Sequence, residues 1–125
     1  MKKVLVVVDM QNDFIDGALG TKEAQAIVGR VIEKIKEYPE DCIYATRDTH
    51  EEDYLETSEG KNLPVPHCIK KTKGWELHPA LQELIAGYDY PVYEKYTFGS
   101  SDLALAFSRG DYNHIREIEL VGLCT

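Results

Sequence analysis

Positive charge is in short supply in this chain. Fourteen Lys and Arg stand against 22 Asp and Glu, a formal net charge of -8. A basic stripe that would hold a phosphate backbone is missing, which excludes a nucleic-acid surface. Cysteine is scarce as well. Cys42, Cys68 and Cys124 are an odd number at no framework spacing, which excludes a disulfide-stapled scaffold and fits a reducing cytoplasm. No apolar run approaches the roughly 20 residues that span a membrane. The N-terminal run through Val8 closes on Asp9, with no small-residue cleavage stretch behind it. That is too short for a signal peptide and suits a buried first strand.

What is present is an ordinary soluble composition, 43% hydrophobic, in 125 residues. That length supports one domain with a real core. The predicted order is strand, helix, strand, long loop, helix, strand, helix, strand. Lys3 to Val8 reads as a strand buried on both faces. Ala24, Ile27, Val28, Val31, Ile32 and Ile35 form one helical stripe, with Pro39 beyond it as a stop. Cys42 to Arg47 is the second strand, and residues 48–77 a polar loop of a length that is usually functional. A short helix opens at His78-Pro79 and stops at Gly87. Tyr90 to Glu94 is the third strand. A helix capped by Ser100 or Ser101 runs through Leu103, Ala106 and Phe107, and Ile115 to Leu123 is the fourth strand. This alternation predicts an α/β, three-layer Rossmann-like fold with a central parallel sheet and helices on both faces. Because the chain stops on a strand with no helix to follow, the bare sheet predicts that the natural polypeptide continues past Thr125. A native mass of 14.2 kDa would refute this.

In such sheets ligands bind beyond the carboxyl ends of the strands. Asp9 ends the first strand, Asp48 and His50 follow the second, and Lys95 ends the third. Asp48-Thr49-His50 and Pro66-His67-Cys68 supply one carboxylate and two imidazoles across a loop, a donor set suited to zinc or a similar divalent ion. Other polar residues have plainer roles. Asp13 is expected to bond loop amides, Glu51, Glu52 and Asp53 to form a solvated run, and Cys42 and Cys68 to pack as small hydrophobes. His78 and His114 are expected to be structural.

Several segments together resemble the isochorismatase-like cysteine hydrolases. Val8-Asp9-Met10-Gln11-Asn12-Asp13-Phe14 is similar to the signature that opens that superfamily. Asp48-Thr49-His50, Pro66-His67-Cys68 and residues 72–79 resemble the metal loop of its nicotinamidase branch. Glu94-Lys95 with Phe98-Gly99-Ser100-Ser101 resembles the lysine segment, and Val121-Gly122-Leu123-Cys124-Thr125 the start of the nucleophile motif.

The resemblance implies an Asp-Lys-Cys triad in which Asp9 and Lys95 are the first two members. The nucleophilic cysteine is expected just beyond Thr125, with Cys124 matching a non-catalytic small residue. It implies a divalent metal, zinc first and iron or manganese as alternatives, held by Asp48, His50 and His67. Glu59 is the candidate fourth ligand and Glu56 the runner-up. Phe14 is expected to wall the substrate ring. Trp75 and Phe98 are further candidates, and Trp75 is equally suited to packing the loop on the sheet. The implied reaction is nicotinamide to nicotinate and ammonia in NAD salvage, on a small-molecule substrate, in a cytoplasmic protein that forms homo-oligomers as the family commonly does. Two alternatives stand beside it. One is a related hydrolase of another amide or of a vinyl ether, favoured by Thr49 where nicotinamidases often carry Trp. The other is a non-catalytic metal- or ligand-binding protein.

Overall fold

The computed structural model describes residues 2–87, 92–96, 100 and 115–123. Four strands, β1 (Lys2–Val8), β2 (Ile43–Asp48), β3 (Val92–Lys95) and β4 (Ile115–Gly122), form one parallel sheet in the order β3-β2-β1-β4. β1 is central, and Val4, Leu5, Val6 and Val7 are buried alternately on its two faces. This is why its sequence is apolar throughout rather than alternating. The chain adds β2 and β3 on one side of β1 and then crosses back to add β4 on the other. The reversal lies beside β1, which is where doubly wound sheets open a ligand crevice.

The helix α2 (Lys22–Lys36) buries Ala24, Val31 and Ile35, with Ile27, Val28 and Ile32 packing beside them, as the stripe predicted. Thr21 caps it by accepting the Ala24 N–H at 3.0 Å. Together with Leu81 of α4 (Pro79–Gly87), α2 covers the face that carries Leu5, Val7, Ile43 and Ala45. Val4, Val6 and Tyr44 face the other way, and Tyr44 stacks on Tyr93. The helix expected after Ser100, together with His114, Phe98 and Cys124, lies outside the described residues. Among the described residues no helix is long and apolar enough to cross a membrane.

The boundaries shift in informative ways. Cys42 closes a 3₁₀ turn, Glu40–Cys42, so β2 starts one residue later than predicted and ends on Asp48 itself. β3 likewise ends on Lys95. The predicted loop 48–77 contains a 3₁₀ turn, Tyr54–Glu56, and a short helix α3 (Ser58–Asn62). A one-turn helix α1 (Asn12–Ile15) stands directly behind β1. At the end of β4, Gly122 has φ +127°, and a Cβ there would run into the Val8 backbone. Only glycine lets β4 approach β1 this closely, where Leu123 N–H donates to Val8 O at 2.9 Å.

Candidate functional site

Asp9 leaves β1 with φ +50°, a left-handed conformation that Asp tolerates better than most side chains. Its carboxylate is fully buried, accepts the Thr46 hydroxyl at 2.7 Å and pairs with Lys95 Nζ at 3.0 Å. Burial disfavours the charged form and raises the Asp9 pKa, an effect that Lys95 and Thr46 only partly offset. The result is a carboxylate closer to neutrality than an exposed one, held by a buried ammonium.

The same ammonium reaches a second carboxylate. Lys95 Nζ lies 3.5 Å from Asp48 Oδ1, while Asp48 Oδ2 faces His50 Nε2 at 3.0 Å and His67 Nε2 at 3.7 Å. Burial opposes the Asp48 charge. The His50 hydrogen bond, the nearby His67 ring and Lys95 outweigh it and hold this carboxyl well below the usual range. For His67, burial favours the neutral ring, but the nearby Asp48 carboxylate and the bond to the Val65 carbonyl prevail and raise its pKa.

The donor atoms of Asp48, His50 and His67 all lie within 4.8 Å of one another, and all three residues are buried. His67 Nδ1 lies 2.7 Å from Val65 O, a contact that orients the ring with Nε2 toward Asp48, where that nitrogen, once deprotonated, is placed to ligate an ion. One carboxylate oxygen and two imidazole nitrogens converging in this way fit a divalent ion with a position left for a further ligand. Glu59 Oε2 approaches His50 Nε2 at 3.4 Å from α3, so the expected fourth group borders the cluster. Thr57 caps α3 by accepting Gly60 N–H at 3.0 Å. A Cβ at Gly60 would collide with the Tyr54 carbonyl, so glycine is what seats α3 against that turn.

Other contacts complete the surroundings. Phe14 is buried with its ring 5.4 Å from that of His67. Asp13 accepts the Cys68 N–H at 2.8 Å and the Ala18 N–H at 3.3 Å, the loop-amide role expected of it. Cys68 is buried, and its carbonyl accepts the His50 N–H. His78 accepts the Ala80 N–H at the start of α4, a structural role. Trp75 has partners of its own. Its indole N–H donates to Thr49 Oγ1 at 3.0 Å, and the Arg47 guanidinium lies 3.8 Å from its ring centre. Arg47 and Thr49 alternate with Thr46 and Asp48 along the chain, so the indole packs the loop on the flank of β2.

Sequence reasoning missed Tyr54. It is buried, meets the His50 and His67 rings edge-on at 4.6 and 5.0 Å, and donates to Leu63 O. Its fixation of both imidazoles has no signal in spacing. A cleft of about 580 Å³ is bounded by Glu51, Glu52, Asp53, Ile69, Lys70 and Lys71. Neither Asp9 nor Lys95 is among its lining residues.

The family model described as "Isochorismatase domain" matches residues 3–125. The chain belongs to the isochorismatase family. It is 30% identical to the uncharacterized isochorismatase family protein PncA of Bacillus subtilis (strain 168), a match covering all of this chain and 73% of that protein. Among solved structures it is similar to the pyrazinamidase/nicotinamidase of Streptococcus mutans UA159, with a TM-score of 0.81 and 26% identity over 98% of this chain and 72% of that one. It is also similar to the pyrazinamidase of Pyrococcus horikoshii in complex with zinc, with a TM-score of 0.72 and 31% identity over 98% of this chain and 71% of that one. The two solved structures share the architecture described above.

Proposed function

We propose that this isochorismatase-family chain carries the base and the metal site of a metal-assisted amidohydrolase that converts nicotinamide and water to nicotinate and ammonia. That it is a hydrolase of amide C–N bonds rests on the family and on the amidase relatives. The finer reading rests chiefly on one observation: a continuous buried path of charged groups from Asp9 through Lys95 and Asp48 to His50 and His67.

On this reading Asp9 takes the proton of a cysteine thiol, the third member of the triad that the family resemblance implies, and later hands it to the departing ammonia. Lys95 keeps Asp9 oriented and its ammonium favours the thiolate. The thiolate adds to the amide carbon, the C–N bond breaks, and water hydrolyses the resulting thioester. Asp48, His50 and His67 would hold the divalent ion, with Glu59 beside His50 as the candidate additional carboxylate. When bound, the ion supplies a Lewis-acidic anchor for a ring nitrogen of the substrate. Phe14 contributes an apolar wall beside His67.

A second reading, a related small amide as substrate, is favoured by Thr49. This small side chain between two ligand residues is buried and bonded to Trp75, so it adds no ring of its own. Ammonia release by the full-length protein, from nicotinamide and from a panel of small aromatic amides, with and without chelator, separates the readings. Chelator-sensitive ammonia from nicotinamide is the expected result. Ammonia only from another amide moves the assignment to the second reading. None from any amide by metal-loaded protein overturns both and leaves a binding protein.

A further inference from the structure

The Gln11 side chain does the work of a missing stretch of strand. β1 and β2 pair in register as far as Val8 and Thr46. Beyond that point the left-handed turn at Asp9 carries β1 away, while β2 runs on to Asp48. Asp48 is supported on its far side by β3, where it pairs with Lys95. On the near side its peptide groups have lost the neighbouring strand. There Gln11 Oε1 accepts the Asp48 N–H at 2.8 Å, and Gln11 Nε2 donates to Asp48 O at 2.8 Å and to Trp75 O at 2.8 Å. Gln11 is fully buried, and its amide reproduces the donor and acceptor of a peptide unit.

We infer that Gln11 is the positioning residue for Asp48: it holds the backbone of the central ligand in line beyond the end of β1, and so sets the geometry in which Asp48, His50 and His67 take up a divalent ion. The inference rests on the reading of that trio as a metal site. The hydrogen bonds of the Gln11 side chain go to the Asp48 main chain and the Trp75 carbonyl rather than to a ligand atom. Partners that orient a ligand from behind typically account for about 10–100-fold in metal affinity.

The test uses metal-free full-length protein, Zn²⁺ as the probe, and competition against a chromophoric chelator, with thermal melting of each variant in parallel. Gln11→Leu removes all three bonds and is expected to weaken Zn²⁺ binding about 10–100-fold. Gln11→Glu keeps an acceptor for the Asp48 N–H but turns an oxygen toward two carbonyls. It is expected to weaken binding likewise, and it serves if the leucine variant fails to fold. Leu81→Ala, a core truncation on α4, lowers the melting temperature and is expected to leave the Zn²⁺ affinity unchanged. Unaltered affinity in the folded Gln11 variants overturns the inference, as does an equal loss in Leu81→Ala. A parent protein that takes up no Zn²⁺ is a different result: it removes the trio as a metal site and this inference with it.

Discussion

Two networks of charge occupy opposite rims of the sheet. At the carboxyl ends, Asp9, Lys95, Asp48, His50 and His67 are all buried and linked. At the other end, Lys3 reaches Glu117 and Glu119, and Lys34 reaches Glu37 and Glu119, at 3.4–3.8 Å. The residue types are much the same, but the surroundings differ. The side chains of Lys3 and Glu117 are 50% and 62% exposed, so water and salt screen their attraction. Tyr38 donates to Glu119 there, and its phenol, pushed up to about 12 by burial and then by Glu119, stays protonated throughout the working range. The exposed network trims the surface. The buried one takes charges out of water at a real cost to stability, and such a cost is characteristic of chemistry rather than of folding.

The contrast is most sharply tested at Asp9. Asp9→Asn keeps the shape but removes the proposed base, and turnover by the full-length enzyme is expected to fall about 10²–10⁴-fold, read by steady-state ammonia release. Stripping the proposed ion comes next. Metal free in solution at about 100 times its Kd adds about 2.7 kcal/mol of stability, so chelation lowers the melting temperature of the parent. The same treatment leaves a His50→Ala/His67→Ala double variant unmoved.

A third test uses pH on the metal-free protein. The folded pKa of Asp9 is raised, so its contribution to stability is fully present below the ordinary 3.8 and is lost as pH rises through the folded value. Asp48 is lowered, so its contribution is present above 3.8 and is lost as pH falls through its folded value. Urea melts from pH 4 to 7 are therefore expected to show Asp9→Asn gaining on the parent as pH rises. A constant difference across that range contradicts the assigned direction. The smallest effect belongs to the other rim. Lys34→Ala is expected to leave both the melting temperature and Zn²⁺ uptake unchanged. A clear loss of either would break the distinction between the rims.

Much of this was legible because the strands announce themselves. The unbroken apolar run before Asp9 gives a central parallel strand, and each polar residue that ends a run then falls on the same rim. Asp48 and Lys95 turned out to be the last residues of their strands rather than the first beyond them, a shift that leaves the rim assignment intact. The connecting segment was harder. α3 and the Tyr54 turn are too short to show a period and depend on tertiary packing at Gly60 and on the Thr57 cap. Gln11 was visible as part of a motif, but its role was not. A side chain standing in for a peptide unit leaves no pattern in hydrophobicity or charge. For Trp75 both a packing and a substrate role were open, and the hydrogen bond to Thr49 together with the Arg47 stack gives the indole its place on β2.

The two oxygens of Asp48 point in different directions, one toward an ammonium and the other toward a pair of rings. A single carboxyl group thus joins the Asp9–Lys95 pair to the two imidazoles, and with them the proposed base to the proposed metal site. No change at residue 48 tunes one of them alone: lengthening it to Glu shifts both, and neutralising it to Asn disturbs both. A defect that maps to this position has to be dissected with companion changes at His67 on one branch and Asp9 on the other before either half is held responsible.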